Sequence, residues 1–389
     1  MKKRDEKRIF MCSSVHVWSD TRIYFKEAKS LADKGFQVEF YALDFEGEKE
    51  NIPNLEMHYL PALSRKERYR HMRVLLKAFE ESEAKNFHFH DPELLLLAKK
   101  IKKKYGNKVK TVYDMHEHLP AALLTKQWIP RFCRPFVSKF VEVVEKYYLK
   151  WVDAVIYAEV SYKQNYAMNQ ATKTVDVLNY PVMPPEIQEI NPEKFTLIYV
   201  GVLTEQRGLF NMLELAKALR KKGCHDFKLK LIGPIFTNEE KIVDFILRNK
   251  LENHIEQLDR MQYKDIWRHY YQSHIGLCLL HPTPNNLNSH STKLFEYMAA
   301  KLPVIASNFP DFTRILAEAD CGYTVDPFDP EGAADLVMKL KEDKHRSQEM
   351  GEKGFRAFEQ LYSWQHESEK LVGLYEDFEK KKIRLGIYE

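Results

Sequence analysis

The chain has 389 residues, of which 44% are hydrophobic and 30% charged, and its formal net charge is +4. This composition is typical of a globular protein and leaves room for two domains of ordinary size, each with its own core. No apolar run approaches the roughly 18 residues of a membrane-spanning helix, and the basic start MKKRDEKRIF lacks the apolar segment of a signal peptide. The five cysteines form no CxxC pair and no metal-ligand spacing, so we expect reduced thiols in a cytoplasmic protein.

The charge is distributed unevenly along the chain. Residues 1–184 hold 32 Lys and Arg against 24 Asp and Glu, whereas the remaining residues hold 28 against 32. A basic surface on one half predicts an anionic partner, with membrane headgroups and nucleic acid as candidates. Ordinary solvation of a lysine-rich protein is the alternative. Nucleic acid is the least favoured partner because the basic residues lie on one helix pair without an aromatic stacking platform.

The first half of the chain begins with a predicted strand at 8–14, a helix at 23–34 that stops at Gly35, and a strand at 38–43. This order is a βαβ unit, so we expect an α/β fold in which helices cover both faces of a parallel sheet. Further strands are predicted at 87–90, 109–113, 153–157 and 174–178. The fingerprint GxGxxG is absent, which counts against a nicotinamide or flavin dehydrogenase.

Two basic helices are predicted in this half, over 65–80 and 130–150. The second interleaves basic residues with aromatic ones such as Phe132, Phe136 and Phe140. A surface helix of this kind is typical of interfacial membrane contact. A packed helix whose Lys and Arg side chains extend to the solvent is the alternative.

A proline-rich stretch at 178–186 marks the boundary between the two predicted domains. A second βα series follows it, with strands predicted at 195–201, 227–232, 255–258, 275–280, 303–306 and 322–325. Beyond residue 331 the chain is predicted to be helical, ending in an amphipathic helix over 363–382.

The stretch 281–305, HPTPNNLNSHSTKLFEYMAAKLPVI, predicts a polar loop, a helix that starts at Ser291 or Thr292, and a buried strand. A helix start offers free backbone N–H groups and the positive end of a dipole, which suits a diphosphate. Lys293 adds a positive charge, and Glu296 can accept two hydrogen bonds from ribose hydroxyls. A capped core helix with a solvated Lys and Glu is the alternative.

Ligands of open α/β sheets bind beyond the carboxyl ends of the strands, which selects three further loops, at 15–22, 114–118 and 201–208. Their polar side chains are Ser19, Asp20, Arg22, His116, Glu117 and Arg207. The guanidinium of Arg207 suits a diphosphate, although an exposed arginine without a ligand is the alternative. In the neighbouring motif HFHDPELL, Asp91 is predicted to cap the following helix.

The segment STKLFEYMAAKLPVIAS at 291–307 resembles the signature segment of family 4 retaining glycosyltransferases, and VYDMHEHLP at 112–120 resembles a stretch of their bacterial members. The resemblance implies the GT-B fold, with two Rossmann-like doubly wound domains facing across a cleft. It implies an acceptor-binding domain over 1–182, a nucleotide-sugar-binding domain over 183–364, and a last helix over 365–389 that returns to the first domain.

The same resemblance implies roles for individual residues. Glu296 matches the glutamate that binds the ribose, and His116 matches an active-site histidine that contacts the donor sugar. Asn288 and Val202 depart from the pattern, since the family has a glutamate at the first position and often an arginine at the second. The implied catalytic residues are His116, Arg207 and Lys293. The implied donor-binding residues are Gly201, Arg207, Gly233, Met261, Asn288, Ser291, Thr292, Lys293 and Glu296. The implied acceptor-side residues are Ser19, Asp20, Arg22 and Glu117.

Residues and resemblance together predict a retaining glycosyltransferase of the hexosyltransferase type. It would move a sugar from a UDP-linked donor to a saccharide or lipid-linked acceptor in cell-envelope polysaccharide biosynthesis. No metal or other cofactor is expected, because the sequence contains no Asp-x-Asp motif. We expect the protein at the inner face of the plasma membrane, in peripheral contact with anionic lipid and without a nucleic-acid partner. The alternatives are a nucleotide-sugar epimerase of the same fold and a non-catalytic nucleotide-sugar-binding protein, the latter favoured by Asn288 and Val202.

Overall fold

The computed structural model describes residues 5–47, 49–64, 67–116, 118–124, 126, 128–163, 172–186, 194–287 and 290–385. The chain divides into two compact units. The first unit comprises residues 1–179 together with 364–389, and the second comprises residues 180–363. The predicted divisions were after residues 182 and 364.

The first unit is built on a seven-stranded sheet in the order β3-β2-β1-β4-β5-β6-β7, and every recorded strand pair is parallel. Its strands are β1 (Asp5–Val17), β2 (Gln37–Leu43), β3 (Leu55–Leu60), β4 (Ala84–Phe89), β5 (Lys110–Met115), β6 (Ala154–Tyr157) and β7 (Lys173–Asp176). Its α-helices are α1 (Lys29–Asp33), α2 (Tyr69–Glu81), α3 (Leu95–Tyr105), α4 (Leu119–Leu123), α5 (Arg134–Leu149) and α6 (Val160–Lys163). The strand order reverses between β1 and β4, so the sheet is doubly wound, as the sequence predicted.

The helix predicted at 23–34 begins earlier, and its first part is a π-helix over Thr21–Ala28 that continues into α1. The wider winding is visible in the hydrogen bond from Phe25 N to Asp20 O, which spans five residues. Arg22 and Glu27, also five residues apart, are both buried. Such π-helical turns are frequent at functional sites.

The predicted positions of three other elements in this unit are wrong or incomplete. Strand β3 was missed because only its ends, Leu55 and Leu60, are buried, as is common for a strand at the edge of a sheet. Helix α2 begins at Tyr69 and α5 at Arg134, four residues later than predicted in each case. The predicted starts, Arg65 and Pro130, are not N-cap residue types, so the periodic pattern alone could not fix the first turn.

The second unit contains a six-stranded parallel sheet in the order β10-β9-β8-β11-β12-β13. Its strands are β8 (Phe195–Val200), β9 (Phe227–Ile232), β10 (Ile255–Leu258), β11 (Ile275–Cys278), β12 (Val304–Ser307) and β13 (Gly322–Val325). Its helices are α7 (Leu209–Lys221), α8 (Glu239–Arg248), α9 (Tyr263–Tyr271), α10 (Pro284–Leu287), α11 (Thr292–Ala299), α12 (Pro310–Ala319), α13 (Pro330–Glu342) and α14 (Lys344–Leu361). All six strands predicted for this half are present, and the order reverses between β8 and β11.

The last helix, α15 (Trp364–Leu385), belongs to the first unit. Trp364 Nε1 donates to Ser30 Oγ at 2.8 Å, and Glu367 Oε2 accepts from Leu178 N at 2.8 Å. The hydroxyl of Tyr375, buried within the unit, lies 2.8 Å from His88 Nδ1. These contacts explain why the chain returns to its first unit after completing the second.

Within the part of the chain that the structure describes, no helix combines the length and the apolar character needed to cross a lipid bilayer.

Candidate functional site

The reversal of strand order in the second unit lies between β8 and β11, and the loops after these strands bring several predicted residues together. Residues 201–208 follow β8, and residues 279–291 follow β11 and lead into α11. The crevice at such a reversal is where open α/β sheets bind ligands. The strand order alone therefore locates the candidate donor site at this crevice.

Lys293 lies against the end of β8. A Cβ atom on Gly201 would meet Lys293 Cε at 2.8 Å and Lys293 Nζ at 3.0 Å, so a larger residue would displace the ammonium group. The Nζ atom lies 5.1 Å from the centroid of the Tyr199 ring, within range of a cation–π interaction. Gly201 is thus needed for the position of Lys293, which is partly buried.

Close backbone contacts hold the loops at this edge together. Gly208 has a φ of +78°, and a Cβ there would lie 1.8 Å from the carbonyl oxygen of Leu279. Gly233, which follows β9, has a φ of +138°, and a Cβ there would lie 2.2 Å from the carbonyl oxygen of Gly201. Gly233 N also donates to Leu258 O at 2.9 Å. The glycines therefore let the loops after β8, β9 and β11 pack backbone against backbone.

The positive charges at this edge are not neutralised by neighbouring carboxylates. Arg207 is exposed, and among the described residues neither it nor Lys293 forms an ion pair. Burial raises the pKa of the Cys278 thiol at the end of β11, while the charges of Lys293 and Arg207 act in the opposite direction. Both cations therefore act on the same buried thiol at the end of β11.

The start of α11 adds backbone N–H groups to these charges. Ser291 occupies the predicted N-cap position, but its side chain makes no cap hydrogen bond. Its hydroxyl instead lies 3.6 Å from Cys278 Sγ. The expectation that Ser291 or Thr292 would cap the helix through its side chain is therefore wrong. Leu294 N donates to Ser291 O at 3.1 Å. The first amides of a helix otherwise have no partner within it, which leaves those of Thr292 and Lys293 for an anion.

Glu296 lies one turn into α11, where its carboxylate is partly buried. The Tyr270 hydroxyl donates to Glu296 Oε2 at 2.7 Å. Burial and the charge of Glu296 raise the pKa of Tyr270 well above its ordinary value, so this hydroxyl keeps its proton. Tyr270 thereby fixes the carboxylate of Glu296, an interaction between α9 and α11 that sequence reasoning missed.

The remaining predicted residues of the second unit have simpler environments. Met261 follows β10 and is partly buried. Asn288 lies outside the described residues. The donor-binding roles of these residues stay predictions.

In the first unit His116 lies directly after β5, where its side chain is 18% exposed. His116 Nε2 lies 2.9 Å from Asp114 Oδ2 and 3.0 Å from His90 Nδ1. The ring of His16 lies against that of His116, with 5.3 Å between centroids. The predicted active-site histidine is therefore part of a group of imidazoles and carboxylates at the carboxyl ends of β1, β4 and β5.

Asp114 is buried and held by Arg22. Arg22 Nε donates to Asp114 Oδ2 at 2.9 Å, and Nη2 donates to Oδ1 at 2.8 Å. Burial acts to raise the pKa of Asp114, but the charge of Arg22 and the hydrogen bond from His116 outweigh it and hold this pKa well below its ordinary value. The guanidinium of Arg22 is itself buried, so it supports Asp114 and does not face the solvent.

The other predicted acceptor-side residues lie around the start of the π-helix. Asp20 Oδ1 accepts from the backbone N of Arg22 and of Ile23, both at 2.9 Å, so Asp20 caps this helix. Ser19 is partly exposed, and Glu117 lies outside the described residues. A contact between any of these residues and an acceptor stays a prediction.

Asp91 and His16 belong to the same site but were not predicted as functional residues. Asp91 stands at the N-cap position, yet its side chain makes no cap bond, so the predicted capping role is wrong. Asp91 Oδ2 instead accepts from Ser13 Oγ at 2.8 Å and from Ser14 N at 2.6 Å. His16 Nδ1 lies 3.1 Å from Asp91 Oδ1. Burial acts to lower the pKa of His16, but the hydrogen bond and charge of Asp91 raise it above its ordinary value.

The chain was compared with protein families and curated proteins. Residues 185–357 match the family model described as Glycosyl transferases group 1. Spore coat protein SA of Bacillus subtilis is 23% identical over 189 residues, which are 47% of this chain and 49% of that protein. The chain spans about half the length of the curated relatives it matches first, 44% and 49%.

Solved structures match almost the whole chain. WaaG, a glycosyltransferase involved in lipopolysaccharide biosynthesis, has a TM-score of 0.67 and 15% identity, with coverage of 94% of this chain and 99% of that chain. Anabaena HepE in complex with UDP-glucose has a TM-score of 0.66 and 12% identity, with coverage of 95% and 99%. Together with the two parallel-sheet units, these neighbours identify the fold as GT-B, as the sequence predicted.

Proposed function

We propose that the chain transfers a sugar from a UDP-linked donor to a saccharide or lipid-linked acceptor. The match of residues 185–357 to the family model described as Glycosyl transferases group 1 supports this proposal. In this proposal the reaction retains the anomeric configuration and requires no metal ion. Its biological setting is the assembly of cell-envelope polysaccharide at the inner face of the plasma membrane. Retention follows from the family resemblance of residues 291–307.

The observation that carries the proposal is the group of unpaired positive charges at the crevice between β8 and β11. Lys293 lies over Tyr199, Arg207 is exposed and forms no ion pair among the described residues, and the amides of Thr292 and Lys293 begin α11. A departing nucleoside diphosphate gains negative charge as its bond to the sugar breaks. Fixed donors aimed at such charge stabilise a transition state, and removal of one donor typically costs about 100- to 1,000-fold in rate.

The nucleotide part of the donor is assigned to Glu296. A carboxylate offers two acceptor oxygens, which match the two hydroxyls of a ribose. Tyr270 holds one of these oxygens at 2.7 Å, so the carboxylate is oriented before a ligand binds. UDP as the nucleotide is supported by the structural neighbour that was solved with UDP-glucose. His116 is proposed to contact the transferred sugar, as the family resemblance implies.

The proposal that transfer requires no metal ion is supported by the chemistry of the same site. The sequence has no Asp-x-Asp motif, and the positive groups present are the kind that compensate a diphosphate without a cation. Lys293 and Arg207 would supply the charge that a divalent ion supplies elsewhere. The departing phosphate is then the group that takes the proton of the acceptor hydroxyl.

A membrane-facing surface is proposed for α5. Phe132, Phe136 and Phe140, which we call the aromatic stripe, are 77%, 78% and 69% exposed. Phe136 and Phe140 lie four residues apart within α5 and so share one helical face, while Phe132 precedes the helix. Lys139 and Lys146 are basic residues of the same helix, and each pairs with Glu142. An exposed apolar stripe with basic neighbours is suited to the interface of an anionic bilayer. This surface would bring the enzyme to a lipid-linked acceptor.

Acceptor-dependent transfer is the direct test of the proposed activity. The full chain is incubated with a panel of UDP-sugars, in the presence of a chelator, with and without saccharide or lipid-linked acceptors. We expect a new glycoside that has the anomeric configuration of the donor. An epimerised nucleotide sugar formed without any acceptor would overturn the proposal in favour of an epimerase. Binding without turnover across the panel would overturn it in favour of a binding protein.

Variants connect that activity to the crevice. Lys293→Ala and Glu296→Ala are each expected to abolish transfer with little loss of folding, because their side chains lie at the surface of the site. Lys301→Ala is the matched control, since Lys301 lies just beyond α11 and pairs with Glu352 at 2.9 Å. Full transfer by either site variant would refute the assignment.

A further inference from the structure

The interior of the first unit holds a buried polar cluster of Glu27, His88, His90 and Asp114, whose ligand atoms lie within 4.8 Å of one another. In the part of the chain that the structure describes, neither oxygen of Glu27 has a hydrogen-bond partner, and neither does Nε2 of His88 or of His90. Such a cluster is suited either to a cation or to a proton held between carboxyl groups. The position of Arg22 decides between the two.

Arg22 already supplies a cation to both carboxyl groups. Its Nε lies 3.0 Å from Glu27 Oε1 and 2.9 Å from Asp114 Oδ2, and its Nη2 lies 2.8 Å from Asp114 Oδ1. A divalent ion in the same cluster would face this fixed positive charge at close range in a buried region, which is strongly unfavourable. The cluster therefore favours a proton over a metal ion.

The proton resides on Glu27. Burial and the nearby charge of Asp114 raise the pKa of Glu27 well above its ordinary value. Asp114 has both oxygens in the fork of the Arg22 guanidinium, a geometry that stabilises the ionised form. Two adjacent carboxyl groups seldom ionise together in a buried site. Glu27 is thus the neutral member of the pair, and Asp114 is the ionised member.

The ionised state of Asp114 decides which nitrogen of His116 carries a proton. A carboxylate only accepts hydrogen bonds, and His116 Nε2 lies 2.9 Å from Asp114 Oδ2. An unprotonated Nε2 would place two lone pairs against each other at this distance. The proton is therefore placed on Nε2, where Asp114 Oδ2 and, at 3.0 Å, His90 Nδ1 are its two acceptors. The other nitrogen, Nδ1, is left for the substrate.

We propose that Asp114, held by Arg22, is a positioning residue that fixes His116 as the Nε2–H tautomer and leaves Nδ1 as a hydrogen-bond acceptor for a substrate hydroxyl. This inference rests on the proposed function, in which His116 contacts the transferred sugar. It adds a requirement on the substrate: the group that meets Nδ1 must donate a hydrogen bond. A donor sugar with fluorine in place of that hydroxyl has no proton to donate and is expected to react poorly.

The tautomer is measured directly by long-range ¹H–¹⁵N correlation spectra of the full chain labelled in histidine, without ligand. The His116 signals are assigned by comparison with His116→Gln. We expect a protonated-type shift for Nε2 and an unprotonated-type shift for Nδ1. Asp114→Asn is expected to change this pattern. Glu27→Gln is the matched control, because an amide replaces a carboxyl that is already neutral, and it should leave the His116 pattern unchanged.

The kinetic readout separates positioning from folding. Asp114→Asn should lower kcat/KM by about tenfold, the value of one neutral hydrogen bond, and should reduce the preference for the hydroxyl-bearing donor over its fluorinated analogue. A protonated Nδ1 in the wild-type protein would overturn the inference even if Asp114→Asn failed to fold. If the expected tautomer were found but no transfer occurred, the proposed function would fail and the tautomer assignment would stand.

Discussion

Replacing Gly208 with alanine tests how tightly the loop that carries Arg207 is built into the crevice. The new Cβ would lie 1.8 Å from the carbonyl oxygen of Leu279, and the backbone would keep a φ of +78°. The left-handed conformation alone costs alanine roughly 1–2 kcal/mol. The collision is with backbone at the end of β11, which cannot move like a side chain, so we expect a total loss of about 3 kcal/mol or more in the free energy of unfolding.

Gly223→Ala is the matched control for this prediction. Gly223 follows α7 with a φ of +83°, but a Cβ there would meet no heavy atom within 4 Å, so it carries the conformational cost without the collision. Both variants are compared by urea denaturation, and their UDP affinity is measured by calorimetry. We expect Gly208→Ala to weaken UDP binding by about tenfold or more through displacement of Arg207. Equal destabilisation by the two variants, or unchanged UDP affinity in Gly208→Ala, would refute the reasoning.

Three further predictions concern other parts of the molecule. Tyr270→Phe removes the hydroxyl that orients Glu296, so UDP affinity measured by calorimetry should fall by about tenfold; unchanged affinity would contradict this role. Burial lowers the pKa of His90 to about 4, so the folded chain binds fewer protons than the unfolded chain between about pH 4 and 6.5. The free energy of unfolding should therefore fall by up to about 3 kcal/mol on account of His90 as the pH falls through this range. His90→Gln should flatten the pH dependence of this free energy, measured by urea denaturation. Phe136→Ser should weaken binding to vesicles that contain phosphatidylglycerol, whereas Phe236→Ser, at a similarly exposed phenylalanine in the second unit, should not; equal binding by both variants would count against the membrane surface.

Strand positions in the second unit followed directly from the sequence because each is a short apolar run between turn residues. Strand β3 did not, since an edge strand with exposed side chains lacks that signal. Residue types located the start of α11. They did not predict the contact of the Ser291 hydroxyl with Cys278, because Cys278 approaches Ser291 only in the folded chain. Local sequence patterns therefore identified the elements better than the contacts between them.

Residues of the candidate site that lie in a sequence motif were predicted individually. Contacts that join distant parts of the chain were missed. His116 and Lys293 were identified from their segments. The pair of Arg22 with Asp114 joins residues 92 positions apart, and no spacing in the sequence indicates it. The alternation of His88 and His90 at the end of β4 was the available signal, since alternate residues of a strand share a face.

The central claim, that the crevice holds a diphosphate through Arg207 and Lys293, is tested most directly by comparing UDP with UMP. Calorimetry on the wild-type chain should find UDP bound more tightly, because only UDP carries the second phosphate. In the variant with Arg207→Gln and Lys293→Gln, we expect this preference to fall by about 10- to 100-fold, the value of a charge-assisted hydrogen bond, while UMP still binds. A preference for UDP that is unchanged in this variant would contradict the account.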